Sequence, residues 1–493
     1  MERIKLKKLL KNLPDLLVKG SKEIEITGIC SNSKLVAPGN LFIAKKGLNH
    51  DGARFIPSAV ESGATAILTD FYDPFFPHTV QIIAPDVAAV EAALAQEYYH
   101  HASEQLFLVG ITGTNGKTTT SYMVKYLLDQ MHLSCGLIGT IEWIVGQHVF
   151  PAAQTTPDVI SNYKLFHEMV TQSCQACVME VSSHALDQRR VHTIEFDVAV
   201  FTNLTQDHLD YHHTMQAYAR AKARLFQSLK KGKKPYVKTG VINSDSPYAE
   251  LMMSECALTY AIDREADLRA SHISLTPEGT HCDVSYRGKI YPFSTRLIGR
   301  HNIYNSLAAA GVGLAKGYQL DEILKTLSRF SNVQGRLERV ENPQGLHIFV
   351  DYAHTDDALA NVLRTLKEIV KGRLITVFGC GGNRDQAKRP KMGSIVEQLS
   401  DVAIVTSDNP RSEDPLEIIS HILSGFKHPS QALCIPDREE AIRKAISLCT
   451  PADIVLIAGK GHETYQIFSQ RTISFDDRLV AQQALNSTSL KNL

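Results

Sequence analysis

A glycine-rich loop directly after an apolar strand constrains the fold of this chain more than any other feature. Residues Leu106–Ile111 are apolar, the loop Gly113-Thr-Asn-Gly-Lys-Thr-Thr119 follows, and from Thr118 to Met131 apolar residues recur at helical spacing. A loop at a helix N-terminus presents unpaired backbone N–H groups to an anion, and the helix dipole strengthens the attraction. The pattern predicts a parallel α/β sheet with a phosphate-binding site at this turn.

The residue types of the loop also suit a nucleotide. Glycines permit close approach of phosphate oxygens, a lysine can neutralise the terminal phosphates, and a threonine hydroxyl can bind magnesium. The strict Walker pattern requires glycine at position 111, where this chain has Ile111, so that match fails by one residue. A turn without a ligand is the alternative, but Gly-Lys-Thr between a strand and a helix favours nucleotide binding. The predicted ATP-binding loop comprises Gly113, Thr114, Asn115, Gly116, Lys117, Thr118 and Thr119.

Whole-chain composition limits the classes of partner. Apolar residues make up 44% and charged residues 21% of the 493 residues, and 52 basic residues balance 52 acidic ones. A nucleic-acid or membrane-surface binder would usually carry a clustered basic excess, so neither partner is favoured. No apolar run is long enough to cross a bilayer, and no secretory signal follows the charged N-terminus, so we expect a cytoplasmic protein without membrane insertion.

The nine cysteines do not indicate a metal or redox centre. Only Cys174 and Cys177 are close together, and a zinc ribbon would need a second such pair. The pair leads into a strand-like run, whereas a redox pair would open a helix. We interpret both residues as buried thiols in a reducing compartment.

Three regions of different pattern predict three α/β domains. Residues 1–105 contain short mixed segments. Residues 106–334 alternate apolar strands with helices, which is typical of a doubly wound, mainly parallel sheet, and short alternating runs between about 256 and 298 predict a small antiparallel appendage. Residues 335–493 return to alternating strands and helices and predict a second, Rossmann-like α/β domain.

The loop Gly113–Thr119 resembles that of the Mur ligase family, whose members add amino acids to the peptide of the cell-wall precursor UDP-N-acetylmuramic acid. The resemblance extends from about residue 27 to residue 480. It implies a uridine-nucleotide-binding first domain, a central ATPase domain and an amino-acid-binding third domain. The chain is most similar to members that add the third residue, 2,6-diaminopimelate or lysine, to UDP-N-acetylmuramoyl-L-alanyl-D-glutamate.

Segments of the first two domains resemble the family's contacts with the nucleotide-sugar peptide. Ser31-Asn-Ser-Lys34 and Gly47–Gly52 are similar to the uridine-diphosphate contacts, although the family usually has Asp-Ser-Arg in the first of them. Gln154–Pro157 and Glu180–Arg190 are similar to the muramoyl-dipeptide contacts, and their hydroxyls and guanidinium suit a carboxylate-rich ligand. The residues implied for this substrate are Ser33, Thr155, Thr156, Ser182, Gln188 and Arg190.

Glu180 and the segment Asn203–His213 raise the question of a metal. Glu180 ends an apolar strand, where a carboxylate needs a cation or a donor. The histidines of Asn203–His213 would by composition suggest zinc, and a polar loop beside the active cleft is the plainer alternative. The resemblance instead implies magnesium, held by oxygen ligands that include Thr118 and Glu180, with His208 approaching a second ion.

Lys222 has two opposed interpretations. It lies in a helix-like stretch, and by sequence alone it would be a solvated lysine. The matching lysine in the family is carbamylated, and burial that lowers a lysine pKa would favour that reaction. The resemblance therefore implies that Lys222 is a magnesium-positioning carbamate, and that Lys117, Lys222, His208 and Glu180 form the catalytic set.

The third domain is implied to complete the nucleotide site and to bind the incoming amino acid. Asn302, near the end of the second domain, and Arg336, at the start of the third, match residues that face ATP. Asp351-Tyr-Ala-His354 resembles the third domain's contribution to the same cleft. Asp408-Asn-Pro-Arg411 resembles the tetrapeptide of diaminopimelate-specific members, since lysine-adding members lack the arginine. An arginine can bind the extra distal carboxylate of diaminopimelate through two hydrogen bonds. The implied diaminopimelate-binding set is Arg384, Asp408, Asn409, Pro410, Arg411, Gly459 and Glu463.

The function implied is an ATP- and Mg²⁺-dependent amide ligase, expected to be a monomer, that adds meso-2,6-diaminopimelate through an acyl phosphate. A lysine-adding ligase is the nearest alternative. A folate polyglutamylase would share the loop without needing the uridine site, and a P-loop switch or motor would hydrolyse nucleotide without any amino-acid dependence.

Overall fold

The structure is a computed structural model that describes residues 3–13, 16–47, 51–230, 232 and 234–489, with side chains described as far as residue 486. The chain forms two compact units. Residues 1–267 and 308–323 make the first unit, and residues 268–307 and 324–493 make the second. Both contain mainly parallel sheets connected by helices, so the predicted α/β class is confirmed.

A small sheet opens the first unit. Its elements are β1 (Ile4–Lys5), α1 (Leu6–Leu9), β2 (Leu17–Lys19), β3 (Glu25–Ile26), β4 (Gly28–Cys30), β5 (Asn40–Ile43), α2 (Ile56–Glu61), β6 (Ala66–Thr69), β7 (Val80–Ile83), α3 (Val87–Tyr98) and α4 (Ala102–Gln105). Five strands pair in the order β2-β7-β6-β5-β4, and β2 is the antiparallel member. Helix α3 begins after Asp86, whose carboxylate accepts the Ala89 N–H and satisfies one free donor of the first turn.

The central sheet of the first unit carries the glycine-rich loop. Its elements are β8 (Phe107–Thr112), α5 (Lys117–Gln130), β9 (Cys135–Ile138), β10 (Glu142–Val145), β11 (His148–Pro151), α6 (Val159–Thr171), β12 (Ala176–Glu180), α7 (Ser183–Asp187), β13 (Val198–Phe201), α8 (Leu209–His212), α9 (Met215–Gln227), β14 (Thr239–Asn243) and β15 (Ala257–Ala261). The strands pair in the order β11-β10-β9-β12-β8-β13-β14-β15 and run parallel from β9 to β15. Every residue of β8, β12 and β13 is buried, as expected for parallel strands covered on both faces.

The second unit combines an antiparallel run of three strands, a separate antiparallel hairpin and a six-stranded sheet. Its elements, including two helices that the units share, are β16 (Leu268–Thr276), β17 (Gly279–Tyr286), β18 (Lys289–Thr295), α10 (Arg300–Lys316), α11 (Leu320–Leu327), β19 (Glu338–Arg339), β20 (His347–Asp351), α12 (Asp356–Lys367), β21 (Leu374–Phe378), α13 (Lys388–Leu399), β22 (Val402–Val405), α14 (Pro415–Leu423), β23 (Leu433–Cys434), α15 (Arg438–Leu448), β24 (Ile454–Ala458), β25 (Tyr465–Ile467), β26 (Thr472–Ser474) and α16 (Asp477–Ser489). The sheet has the order β19-β20-β24-β21-β22-β23, and β19 is its antiparallel member. Alternate residues enter different cores, since Phe349 and Leu374 join one apolar cluster while Ile348 and Ile375 join the other.

The antiparallel appendage is shorter than predicted. Its strands β16, β17 and β18 pair antiparallel and begin at Leu268. The start of the predicted range, near residue 256, was wrong, because β15 pairs parallel with β14 in the central sheet. A short strand next to a turn does not reveal its pairing partner, so its sequence could not settle this point.

Cys174 and Cys177 are buried and free, as predicted. Among the described residues, no helix is long and apolar enough to cross a membrane.

One buried ionic cluster ties the start of the central sheet together. The Asp197 carboxylate is fully buried and accepts hydrogen bonds from the Leu108 N–H and from the ammonium groups of Lys234 and Lys238, at 2.8, 3.1 and 2.7 Å. Burial lowers the pKa of Lys234, and the Asp197 charge opposes that shift. Such a cluster holds its elements together only while every charge has its partner.

Replacing Asp197 with alanine should destabilise the first unit by about 3–5 kcal/mol, because two buried ammonium groups lose a shared carboxylate. Urea denaturation of the variant and the parent measures the difference. Glu23→Gln is the control, since its ion pairs with Lys5 and Lys7 are exposed and should leave the transition in place. Equal midpoints for Asp197→Ala and the parent would contradict this account.

Candidate active site

The glycine-rich loop has a backbone that only glycine accommodates at its first position. Gly113 has φ of 152°, and a Cβ there would collide with the hydroxyl oxygen of Thr202. Gly116 has φ of 83°, in the left-handed region, and α5 begins at the next residue. The free N–H groups of the first helical turn therefore lie at the loop, as the sequence predicts.

The segment that follows β13 fixes the shape of the loop. Asn203 accepts the Thr114 N–H at its backbone oxygen and the Asn115 N–H at its side-chain oxygen, both at 2.9 Å. The Thr202 hydroxyl donates to the Asn115 carbonyl oxygen at 2.6 Å. Because β8 and β13 are parallel neighbours, their carboxyl ends bring these segments together. The loop is thus held by side chains from an adjacent strand end.

Two lysine ammonium groups converge on the carbonyl oxygen of Gly113. Lys117 Nζ donates to it at 3.1 Å and to the Thr114 carbonyl at 2.7 Å, and Lys222 Nζ donates to it at 2.8 Å. Lys222 is 1% exposed and lies 4.5 Å from the centroid of the Tyr218 ring. Burial, followed by repulsion from Lys117, holds the pKa of Lys222 well below its ordinary value.

The interpretation of Lys222 as a solvated lysine was therefore wrong. Helical periodicity carried the missed signal. Lys222 lies four residues after Tyr218 and three before Leu225, and all three occupy the buried face of α9. A cation on an apolar face needs a particular partner, which here is the loop carbonyl.

Glu180 has the donors that its position requires. It is fully buried at the end of β12 and accepts hydrogen bonds from the hydroxyls of Thr118 and Thr140, at 3.1 and 2.9 Å, and from the Thr140 N–H at 2.9 Å. Thr140 was not predicted, because it follows β9 and reaches Glu180 only through the pairing of β9 with β12. A carboxylate beside a threonine hydroxyl supplies the hard oxygen ligands that magnesium prefers.

The histidine-rich segment does not form a zinc site. His208 is half-exposed, has φ of 52°, and its ring centroid lies 4.9 Å from that of His184 and 6.0 Å from that of Tyr218. His212 is buried, and its Nε2 bonds to the Ser183 hydroxyl. No group of three or more His, Cys, Asp or Glu side chains within the described residues could hold a metal. Burial, opposed by Asp207 and reinforced by Lys222 and Lys117, lowers the pKa of His208, which favours a neutral imidazole.

Five of the six residues predicted to bind the nucleotide-sugar peptide form one polar network beside Glu180. Arg190 donates from Nε and one terminal nitrogen to the Gln188 side-chain oxygen, at 3.0 and 2.6 Å, and from the other to the Thr156 carbonyl at 2.9 Å. The Thr156 hydroxyl donates to the Glu180 carbonyl and accepts the Ser182 N–H. The Thr155 hydroxyl lies 3.1 Å from that of Thr140, which links the network to the Glu180 donors.

The sixth residue, Ser33, follows a strand of the small sheet. It is half-buried in a one-turn helix, Ser33–Leu35, that follows β4, and the Asn32 side chain accepts the Lys34 N–H there. Asparagine thus closes the turn in this chain where the family usually has aspartate. Residues 48–50 of the predicted segment Gly47–Gly52 lie outside the described residues.

In the second unit, the residues predicted to bind the amino acid meet at one edge of the six-stranded sheet. The loops after β21, β22 and β24 carry Gly379–Asp385, Asp408–Arg411 and Gly459–Glu463 respectively. These three strands are parallel neighbours, so their carboxyl ends form a single crevice edge, the usual ligand position in open α/β sheets.

Asn409, Lys460 and Glu463 form a closed triad at that edge. Lys460 Nζ donates to Asn409 Oδ1 at 3.1 Å and to Glu463 Oε2 at 3.0 Å, and Asn409 Nδ2 donates to the same Glu463 oxygen at 2.9 Å. Asn409 is 3% exposed and Lys460 is fully buried. Lys460 lies between the predicted residues Gly459 and Glu463 but was not itself predicted, because a lysine between two glycines gives no periodicity from which its burial could be read.

Two arginines lie on the loops after β21 and β22. Arg411 has φ of 53° and donates to the Gly382 carbonyl at 2.8 Å, which joins the loops after β21 and β22. Arg384 is exposed on the loop after β21. Asp408 and Pro410 are buried. Gly459 has φ of 115°, and a Cβ at this position would lie only 2.8 Å from Asp408 Oδ2.

A buried ion pair supports two of these loops from behind. Arg438 and Asp477 are almost fully buried and pair through two hydrogen bonds of 2.7 Å. Arg438 also donates to the carbonyls of Ser407 and Ala458, the residues just before Asp408 and Gly459.

Asn302 and Arg336 also belong to the second unit, and their contact with ATP stays a prediction. Asn302 is buried in the first turn of α10, where it donates to the Ile298 carbonyl and accepts from Asn305. The Arg336 guanidinium lies 5.0 Å from the centroid of the Tyr352 ring.

Family models match three consecutive parts of the chain. They are described as Mur ligase family, catalytic domain, over residues 25–104; Mur ligase middle domain, over residues 111–313; and Mur ligase, glutamate ligase domain, over residues 335–461.

Full-length relatives are similar to the whole chain. A protein of Chlamydia caviae named UDP-N-acetylmuramoyl-L-alanyl-D-glutamate--2,6-diaminopimelate ligase is 43% identical over 98% of this chain and 99% of its own length. A protein of the same name from Geobacillus thermodenitrificans is 42% identical over 98% and 99%. A solved structure with that name in its title superposes with a TM-score of 0.73 and 29% identity, covering 99% of this chain and all of that one.

Replacing Gly113 with alanine should weaken binding of an ATP analogue at least about tenfold, because the new Cβ displaces Thr202 and distorts the phosphate-facing N–H groups. Isothermal titration calorimetry measures the affinity. Gly288→Asn is the control, since Gly288 also has positive φ but has open space for a side chain. Unchanged affinity in Gly113→Ala would contradict the assignment of the loop.

Proposed function

The chain belongs to the Mur ligase family, and from that premise we propose that it joins meso-2,6-diaminopimelate to the D-glutamate γ-carboxylate of UDP-N-acetylmuramoyl-L-alanyl-D-glutamate at the expense of ATP. The observation that carries the proposal is the crevice edge of the second unit, where Arg411, Asn409 and Glu463 adjoin one another. Together they offer a guanidinium, an amide and a carboxylate to one small zwitterion. The reaction belongs to cell-wall precursor synthesis, and its ATP and nucleotide-linked substrate are cytoplasmic.

The loop of the first unit would activate the acceptor. The γ-carboxylate attacks the γ-phosphate of ATP, ADP leaves, and an acyl phosphate forms. Backbone N–H groups of Gly116–Thr119 would hold the phosphates, because those of Thr114 and Asn115 are bonded to Asn203. Lys117, which now donates to two loop carbonyls, would turn to the transferring phosphoryl group. The amino group of diaminopimelate then attacks the acyl carbon, phosphate leaves, and the amine loses a proton.

The residues around Glu180 fit magnesium. Thr118 and Glu180 would supply oxygen ligands, and His208 and a carbamate of Lys222 would lie near a second ion. Bound magnesium would neutralise charge on the transferring phosphoryl group.

The surroundings of Lys222 support its carbamylation. Because its pKa is lowered, the neutral amine is more populated, and only the neutral amine adds carbon dioxide. The anion formed would exchange repulsion from Lys117 for attraction. It would also end the convergence of two ammonium groups on the Gly113 carbonyl.

The network Thr155–Thr156–Ser182–Gln188–Arg190 would bind the peptide part of the acceptor, and Ser33 its uridine diphosphate. Arg190 is pre-oriented by Gln188 and Thr156, so that little side-chain entropy is lost on binding. Asn302 and Arg336 would contact ATP from the second unit. We further propose the domain bounds 1–105, 106–334 and 335–493.

Arg411 favours diaminopimelate over the lysine alternative. Lysine lacks the distal carboxylate and would leave this guanidinium without an anion. A folate polyglutamylase would have no use for residues 25–104, which match the family's first domain. A switch or motor would have no use for the crevice edge.

Phosphate release with UDP-N-acetylmuramoyl-L-alanyl-D-glutamate should require an amino acid and should be much faster with diaminopimelate than with lysine. A coupled phosphate assay with diaminopimelate, lysine and no amino acid measures this. Equal or faster turnover with lysine would exclude the proposed specificity, and release without any amino acid would favour the switch or motor.

Arg411→Lys should raise the KM for diaminopimelate by roughly 10–100-fold, because a point charge replaces a two-bond guanidinium contact. Its KM for ATP should stay within about threefold of the parent's, since Arg411 lies on the amino-acid loop. Steady-state kinetics with each substrate varied in turn separates the two. A rise in the ATP KM alone would contradict the assignment of Arg411.

Lys222→Met should lower kcat by about 100-fold or more, because the variant cannot form the carbamate near the transferring phosphoryl group. Binding of an ATP analogue should change only a few-fold. Lys230→Met is the matched control, since Lys230 is an exposed lysine just beyond the same helix. Full activity of Lys222→Met would exclude the catalytic role.

A further inference from the structure

The triad of the crevice edge contains a charge that the proposed function does not use. Glu463 belongs to the implied diaminopimelate-binding set, where its carboxylate suits the distal ammonium of the incoming amino acid. Its Oε2 already accepts hydrogen bonds from Lys460 and Asn409, at 3.0 and 2.9 Å. An incoming ammonium would therefore share Glu463 with the buried ammonium of Lys460.

Among the buried and half-buried side chains of this edge, the formal charges balance without a ligand, whereas Arg384 is exposed and water screens its charge. Asp408 and Glu463 contribute two negative charges, and Lys460 and Arg411 two positive ones. Behind them, Arg438 and Asp477 neutralise each other. Lys460 and Asp408 are at least 93% buried, so water screens their charges weakly. A site of this kind accepts a net-neutral group more readily than a net charge.

The two rival amino acids differ in this respect. The distal end of diaminopimelate carries an ammonium and a carboxylate and is net neutral. The distal end of lysine carries an ammonium alone and would leave one uncompensated positive charge beside Lys460 and Arg411. Selectivity often depends on such a repulsive element as well as on the attractive contact.

We propose that Lys460 is a specificity-determining residue that disfavours lysine through the charge balance of the crevice edge. The inference rests on the proposed function, since it takes the distal end of the amino acid to lie at Glu463. Arg411 attracts the distal carboxylate of diaminopimelate. Lys460 makes binding of lysine, which lacks that carboxylate, less favourable.

The test compares the ratio of kcat/KM for lysine to that for diaminopimelate in the parent, Lys460→Met and Lys460→Arg. Lys460→Met leaves the edge with one net negative charge, which lysine would neutralise, so the ratio should rise at least about tenfold. Lys460→Arg keeps the charge and should hold the ratio within about threefold. Lys367→Met is the matched control, because it removes an ion-paired lysine of the same unit that lies on α12, outside the crevice edge, and its ratio should match the parent's.

Equal losses with both amino acids in Lys460→Met would overturn the proposal and leave Lys460 a structural residue. An absence of diaminopimelate-dependent phosphate release in the parent would instead overturn the proposed function, so the two failures are distinguishable.

A measurement on the parent enzyme covers the case in which Lys460→Met does not fold. Norleucine has nearly the shape of lysine without its distal charge. As competitive inhibitors against diaminopimelate, norleucine should bind at least as tightly as lysine, although Glu463 is available to lysine. Clearly tighter inhibition by lysine would overturn the proposal.

Discussion

The convergence of Lys117 and Lys222 on the carbonyl oxygen of Gly113 is the contact on which the proposed chemistry of the first unit depends. Lys117 begins α5 and Lys222 lies in α9, so the contact joins two helices to the glycine turn. Burial and, after it, repulsion from Lys117 lower the pKa of Lys222. A phosphate that accepts hydrogen bonds from Lys117, or an anion formed on Lys222, would relieve the repulsion, so the proposed mechanism links nucleotide binding to the state of Lys222.

The second unit places its polar side chains in the same way as the first, at the ends of parallel strands. Both units place their polar side chains where neighbouring parallel strands end, because such ends leave backbone groups and loops free to bind a ligand. In the first unit, the ends of β8, β12 and β13 bring together the glycine-rich loop, Glu180 and Asn203. In the second unit, the ends of β21, β22 and β24 bring together side chains of opposite charge. Under the proposed function, the loop holds the ATP whose phosphoryl transfer drives the reaction, and the crevice edge selects the amino acid.

Much of this arrangement could be predicted from the sequence. The strand, glycine loop and helix around Gly113 were confirmed, and so was the parallel class of the sheets, because local periodicity encodes both. The partners of Glu180 could not be predicted in full, since Thr140 comes close only through sheet pairing. Lys460 was missed because a lysine between two glycines shows no periodicity, and Lys222 was recognised only by resemblance to a family. Burial of a charged side chain depends on tertiary packing, which a single sequence records weakly.

In the proposed reaction, phosphoryl transfer from ATP activates the γ-carboxylate before the selected amino acid attacks. Labelling that carboxylate with oxygen-18 and analysing the released phosphate by mass spectrometry tests it most directly. The account predicts one labelled oxygen in each phosphate when diaminopimelate is supplied, because the acyl C–O bond breaks. Unlabelled phosphate under the same conditions would contradict it.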